Sequence, residues 1–471
     1  MEISVSAPGL QLQRRSKKHP DKPFPAWKKN CKASNWCEPD ELANKIGYSQ
    51  FCGFAINELI PQLSLAGRKI TRKQELLCGM LYQLLYTGLR CRLVRDTRNT
   101  SERGVKLRTA LWDLLDAEGW CRKYRGSRAD RIWTRYESTS KLHQYFPRCE
   151  ELWRSAPLER NSRSPDHPIA HAVVYGHSGK RDLQTGKKLP ESERCKPLPF
   201  PHQDEPLFNY LCRLEDSVTD INQKNGMHDW RVQLSPGVWV SPEVSLRQTH
   251  VGEWNRAPRL HTSGILSAQS LKKSIRRTMT IDEEETIELD FSSMVPRMAY
   301  HSLGIEASGD IYRCEEVFPS LNTVPRTDEF RNAVRALLKR AMNTMFNVAT
   351  KGAAKKAVAY NGRHYLSLEG FRWFFQKSEG LNFSRLVDRI EEVHPQIRKL
   401  FYCNTGMDLM TSEAFIMLFS LMDITASGRP ALGIHDAIVC KASDADFVES
   451  TMIKNYDKYF PGFPPEIKRS R

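Results

Sequence analysis

The 471-residue chain contains no uninterrupted apolar run of the roughly 20 residues that a membrane span requires. Its best candidate, Ala414 to Met422, is too short and reads as a buried helix, so no membrane partner is expected. No apolar segment follows the basic cluster Arg14, Arg15, Lys17 and Lys18, which is not the pattern of a secretory signal. A soluble, cytoplasmic protein is the expectation. The 12 cysteines follow no repeating pattern, and the five residues between Cys31 and Cys37 match no common zinc spacing. Reduced thiols and no structural zinc are expected. Internal repeats are absent as well. What remains suffices for packed cores: 40% hydrophobic and 10% aromatic residues exclude wholesale disorder and collagen-like or coiled-coil chains.

Length points to two or three domains, and charge points to a polyanion. Lys and Arg number 71 against 55 Asp and Glu, a formal +16. Residues 1–150 hold 28 basic and 15 acidic side chains, or +13 of that excess. Nucleic acid is the commonest partner of such a chain; a solubilising basic surface is the alternative. Residues 1–35, basic and interrupted by Pro20, Pro23 and Pro25, read as a flexible arm. Residues 151–206 contain 8 of the 26 prolines and read as an irregular linker.

Between them, residues 36–150 form a helical module. Leu107, Ala110, Leu111, Leu114 and Leu115 recur at helical spacing, and Gly119 caps that helix. Two strand-like runs follow, Trp120 to Tyr124 and Arg131 to Tyr136, joined by Arg125-Gly126-Ser127-Arg128. Helix, cap, basic hairpin and a further helix is the order of a winged helix. Its hairpin would lay Arg122, Lys123, Arg125, Arg128, Arg131 and Arg135 along a phosphate backbone. An αββ fragment with a solvated basic hairpin fits the same residues equally well.

The chemistry lies further on, in three segments. In TIELDFSSMVPRM (286–298), alternating Ile287, Leu289 and Phe291 predict a strand with Asp290 near its end. In RNAVRALLKRAMNTMFNV (331–348), Val334, Leu337, Leu338, Ala341, Met345 and Val348 form one helical stripe. Arg331, Arg335, Lys339, Asn343 and Asn347 form another, with no Asp or Glu in the segment. A cationic and amide face without acids of its own calls for an anion, which a triphosphate would supply. In IHDAIV (434–439), a predicted β-hairpin carries His435 and Asp436 at its bend. Asp436 follows Asp290 by 146 residues. Two carboxylates converging from adjacent strands can hold two Mg²⁺ ions about 3.5–4 Å apart, with Mn²⁺ as a substitute. Such a site transfers a nucleotidyl group to a primer 3′-hydroxyl.

Taken in order, these segments resemble motifs A, B and C of the A family of DNA polymerases. The closer resemblance is to the exonuclease-lacking, A-family-like polymerases of phages, plasmids and mobile elements. Arg259 with HTSGILSA (261–268), Arg276 and Arg277, SGDIY (308–312), HPQI (394–397) and GMDLMTSEAF (406–415) lie around them in the family's order. The resemblance covers roughly residues 245–471. It implies an α/β fold with a right-hand palm of antiparallel strands, flanked by helical fingers and thumb and preceded by the helical or winged-helix module. Palm and fingers would occupy 261–471, with the fingers around 311–380. Residues 207–260 would form a thumb-like connector, helical between 205 and 250. It also implies that Asp290 and Asp436 ligate the metals with the Phe291 carbonyl, that Arg335 and Lys339 meet the incoming dNTP, and that His435 lies near the primer terminus. Asn343 and Asn347 stand where the family has an aromatic and a Tyr, and Ala437 where it commonly has an acid. Val295 stands five residues after Asp290, where the family's Glu excludes a ribose 2′-hydroxyl, so weaker rejection of ribonucleotides is expected. The expected partners are a DNA primer–template and dNTPs, and no proofreading carboxylates are visible upstream. Two alternatives stay open: a non-catalytic replication initiator with a decayed palm, and an RNA polymerase or primase.

Overall fold

A computed structural model describes residues 33–35, 48–63, 70–89, 93–95, 102–124, 135–145, 147–148, 174–177, 190–193, 196, 198–199, 201, 206–254, 258–262, 266–323 and 327–470. Fourteen strands form three sheets among these residues, and the longer helices are numbered below in chain order.

The first sheet belongs to the basic front module. It runs in the order β1 (Ala33–Asn35), β2 (Leu93–Arg95), β4 (Arg135–Ser138), β3 (Cys121–Tyr124). Helices α1 (Ile70–Leu89) and α2 (Glu102–Ala117) carry its core. Leu77, Leu81, Leu84 and Leu85 of α1 are fully buried, and Trp112 of α2 stacks on Tyr136 of β4 with ring centroids 4.0 Å apart. Gly119, at φ 74°, ends α2 in a left-handed conformation that costs glycine nothing. The hairpin expected after it forms, with its second strand described over Arg135–Ser138. Residues 125–134, and with them Arg125, Arg128 and Arg131, lie outside the described residues.

The second sheet, β5 (Val174–His177), β8 (Leu246–Val251) and β9 (Arg259–Thr262), packs on helix α3 (Pro206–Asn225). The helical connector expected over 205–250 is thereby corrected. Only Pro206–Asn225 is helical, and the chain then enters β6 (Trp230–Ser235), β7 (Val238–Val240) and β8. The segment Trp230-Arg231-Val232-Gln233-Leu234-Ser235 buries every second residue, which is the period of a strand.

The third sheet is the centre of the molecule. Its order is β12 (Ala431–Ile434), β13 (Ala437–Lys441), β11 (Glu284–Phe291), β10 (Thr280–Ile281), β6, β7, and β14 (Ile467–Ser470) also pairs with β11. Every pairing in it is antiparallel. The turn between β10 and β11 is Asp282-Glu283, with both φ angles positive (50° and 68°), as a tight two-residue hairpin requires. Leu289 and Phe291 point to the packed side, where Phe291 meets Tyr456 of helix α9 (Ala445–Asp457) at 5.7 Å between centroids. Glu288 and Asp290 therefore share the opposite face.

Helix α4 (Met294–His301) follows β11 directly, and its Tyr300 and His301 donate to or accept from His394 Nδ1 and Tyr456 Oη, both at 2.8 Å. Helices α5 (Asp328–Phe346), α6 (Lys351–Gly362) and α7 (Phe383–Val393) pack together beyond it. α5 starts at Thr327, whose hydroxyl accepts from Phe330 N–H at 3.3 Å. Helix α8 (Thr405–Ala426) is, among the described residues, the one helix long and apolar enough to cross a membrane. It is packed against α3, α4, α9, β9 and β12, with Ile416, Leu418, Leu421 and Ile424 fully buried.

Candidate active site

Two turns bring the acidic residues together. At the end of β11, Ser293 adopts φ 55°, a left-handed conformation that lets the chain pass from strand to α4 within two residues. At the bend between β12 and β13, His435 adopts φ 58°. Ala437 sits opposite Asp290 across the strand pair, and Phe291 N–H donates to the Asp436 carbonyl at 3.1 Å. Asp290 and Asp436 are thus neighbours in register despite 146 residues between them. Neither carboxylate has an ion-pair partner among the described residues. Burial, then Asp436 and Glu288, raise the Asp290 carboxyl to about 6, with Lys339 and Lys273 opposing.

Lys339, exposed on α5, reaches Asp290 by charge alone and has no ion pair among the described residues. Arg335, one turn earlier, is already engaged. It pairs with Asp310 at 3.1 Å, donates to Ser293 Oγ at 3.3 Å, and covers the Tyr312 ring at 4.5 Å. Arg331 likewise pairs with Glu315 at 3.4 Å. The acids missing from the 331–348 segment come instead from residues 310–315, so Lys339 is the cation of that stripe left for a ligand. Lys339 and Asn343 line an open groove of about 570 Å³ with Arg340, Asn347 and Tyr365. Asn343 Oδ1 is buried there without a partner. Asn347 lies just past the end of α5 and packs on Gly406, where an added Cβ would come within 2.5 Å of its amide oxygen.

Val295 is half-buried in α4 against the core. Phe291, Tyr300 and Tyr312, the nearby aromatics, are each 2% exposed, and Tyr312 stands beside Ser293. His435 is exposed at the bend, and desolvation followed by Arg259 holds its imidazole below the usual range. In the front module, Lys123 is bound by Asp113 of α2, whereas Arg122 is exposed beside Tyr124.

One residue was not anticipated from the sequence. Glu413 of α8 is 7% exposed, 3.9 Å from Arg259, and within electrostatic range of Asp436 and Lys339. Its sequence signal is an acid placed directly before the apolar run Ala414 to Met422. Burial, with Asp436 adding and Arg259 and Lys339 opposing, raises its carboxyl to about 7. A folded-state pKa raised from 4.5 to about 7 gives stability below the unfolded value that is lost as pH rises through 7. Glu413→Gln should therefore be more stable than the parent chain above pH 7, by up to about 3 kcal/mol. The gap should close as pH falls toward 4.5. Thermal melts in a chelating buffer across pH 4–9 measure this, and a pH-independent difference would remove Glu413 from the charge cluster.

No family model and no curated protein matches the chain. Solved structures do match; one is the polymerase domain of Pol1 from M. smegmatis, in complex with DNA primer-template and dNTP. Its TM-score is 0.27 at 13% identity, over 56% of this chain and 51% of that one. The chain spans about half the length of that neighbour. A likeness of this degree leaves function to the chain's own residues.

Proposed function

We propose that the chain is a template-directed DNA polymerase that extends a primer 3′-hydroxyl with dNTPs and lacks proofreading. The observation that carries this reading is the approach of Asp290, at the end of β11, to Asp436, at the β12–β13 bend, with neither carboxylate in an ion pair among the described residues and Lys339 within electrostatic range of Asp290. Two unneutralised carboxylates form a donor set suited to hard divalent cations, so Mg²⁺, or Mn²⁺ in its place, fits here. When bound, the metal supplies Lewis-acid activation of the hydroxyl and stabilises charge on the leaving pyrophosphate.

The protein's own residues do the rest. Asp290 and Asp436 would hold the metals, and the Phe291 N–H bond to the Asp436 carbonyl fixes the end of β11 against the β12–β13 bend. Lys339 places positive charge where the triphosphate lies, and Asn343 offers an amide along the groove. Arg335 orients Ser293, Asp310 and Tyr312 around the nucleotide pocket. His435, exposed at the bend, faces the primer terminus. Exclusion of the ribose hydroxyl falls to Val295 or Tyr312.

The direct test is extension of primed and unprimed DNA and RNA templates with dNTPs and NTPs side by side. Extension of primed DNA with dNTPs is expected. Binding of DNA without extension under any condition would instead favour a non-catalytic initiator.

The front module is proposed to hold the duplex through its hairpin. Each phosphate contact contributes about 0.9 to the slope of log affinity against log salt. Arg122→Ala, Arg125→Ala and Arg128→Ala together should flatten that slope by about 2–3 units. An unchanged slope in a salt titration of DNA binding would show that the hairpin does not touch DNA.

A further inference from the structure

Residues opposite one another on antiparallel strands project their side chains to the same face, with Cβ atoms about 4.5–5.5 Å apart. β14 lies along β11 with Lys468 opposite Asp290 and Ser470 opposite Glu288. β13 lies along its other edge with Ala437 opposite the same Asp290. Asp290 thus stands between the bend that carries Asp436 and the strand that carries Lys468.

The state of the Lys468 ammonium is informative. It is 58% exposed, and its one ion pair among the described residues is to Glu466, at 3.6 Å, just before β14 begins. Glu466 is itself taken by Arg297 at 2.6 Å. Arg469, which faces the other side of the sheet, is held by Asp446 and Glu449 of α9 and serves packing. Lys468 serves no such purpose, and it makes no ion pair with Asp290 although it is that residue's cross-strand neighbour. A strongly solvated cation is therefore poised over the reacting face, on the side of Asp290 away from Asp436. Lys273 adds a second exposed cation to that face, 4.0 Å from Glu288.

We propose that Lys468 is a phosphate-binding residue of this site, contacting a phosphate of the primer strand or of the incoming nucleotide. The proposal rests on the polymerase reading for the identity of those phosphates. A lysine acts here as a flexible point charge, which suits a phosphate that shifts during transfer. Its place on β14 means that the strand completing the sheet also completes the site.

The test uses the full chain with Lys468→Gln and Lys468→Arg, and reads binding without turnover. Affinity for a dideoxy-terminated primer–template is measured by fluorescence anisotropy over a salt series. dNTP affinity for that complex is measured with Ca²⁺ in place of Mg²⁺. Unfolding midpoints of both variants should match the parent. Lys468→Gln should weaken one ligand about five- to twenty-fold, and Lys468→Arg should recover most of it. Loss of DNA affinity with a slope flatter by about 0.9 assigns the primer strand; loss confined to the dNTP assigns the nucleotide. Unchanged affinity for both, or a lowered unfolding midpoint that Lys468→Arg restores without any change in binding, overturns the proposal. A parent chain that binds both ligands yet never extends a primer would overturn the polymerase reading and leave the Lys468 result intact.

Discussion

Replacing Asp290 or Asp436 with Asn should abolish primer extension, with a loss of about a thousandfold or more, equivalent to about 4 kcal/mol of transition-state stabilisation. Two carboxylates that share bound metals act as a unit, so the double variant should be little worse than either single one. The fold should not suffer. The Asp290 carboxyl is pushed up to about 6 by burial and by Asp436, which means that its ionised form destabilises the folded chain. Asp290→Asn should then be at least as stable as the parent above pH 6. That advantage should shrink as pH falls toward the ordinary carboxylate value of 3.8. Single-turnover extension with thermal melts over the same pH range separates the two effects. Full activity in either Asn variant would end the two-metal reading.

Lys339 and Arg335 should part company when each is changed to Ala. Lys339 is exposed and unpaired, so Lys339→Ala should leave stability and primer–template affinity alone. Nucleotide kcat/KM should fall by about a hundred- to a thousandfold as a charge-assisted contact to the triphosphate is lost. Arg335 is built into its surroundings through Asp310, Ser293 and Tyr312. Its removal should also destabilise the chain by about 1 kcal/mol or more, since three partners are left uncompensated. Pre-steady-state nucleotide kinetics beside unfolding midpoints would show the split. If Lys339→Ala weakened DNA binding while nucleotide kinetics held, the α5 face would belong to DNA.

These residues also show how far local sequence reaches. β11, the β12–β13 bend and α5 were legible because alternation, a two-residue turn and a helical stripe are written within a dozen residues. The buried side of α5 carries Val334, Leu337, Leu338, Ala341 and Met345 as that stripe requires. The counter-ions of Arg331 and Arg335 were not legible, because Glu315 and Asp310 approach from a separate segment. β14 was missed for a similar reason: Ile467-Lys468-Arg469-Ser470 has little strand character and becomes a strand by pairing with β11. Of the helical region expected between 205 and 250, the amphipathic helix Pro206–Asn225 forms, and the strands of its second half were not legible. Glu413 lay hidden because its charge matters only once α8 is packed against β9, which carries Arg259.

The pairing of β11 with strands far along the chain dictates when this molecule can come into being. Asp290 meets Ala437 across 147 residues and Lys468 across 178, and Asn225 both donates to and accepts from Ala431 across 206. Loops of this size close late and slowly. At ribosomal rates of about 5–20 residues per second, roughly 10–35 s separate the emergence of Asp290 from that of Lys468. Throughout that interval the nascent chain displays an unpaired edge of β11 while the basic front module has already been made. On the proposed function, the emerging protein would hold its basic front module ready before its candidate site could assemble, and the open edge is where a chaperone would be needed most.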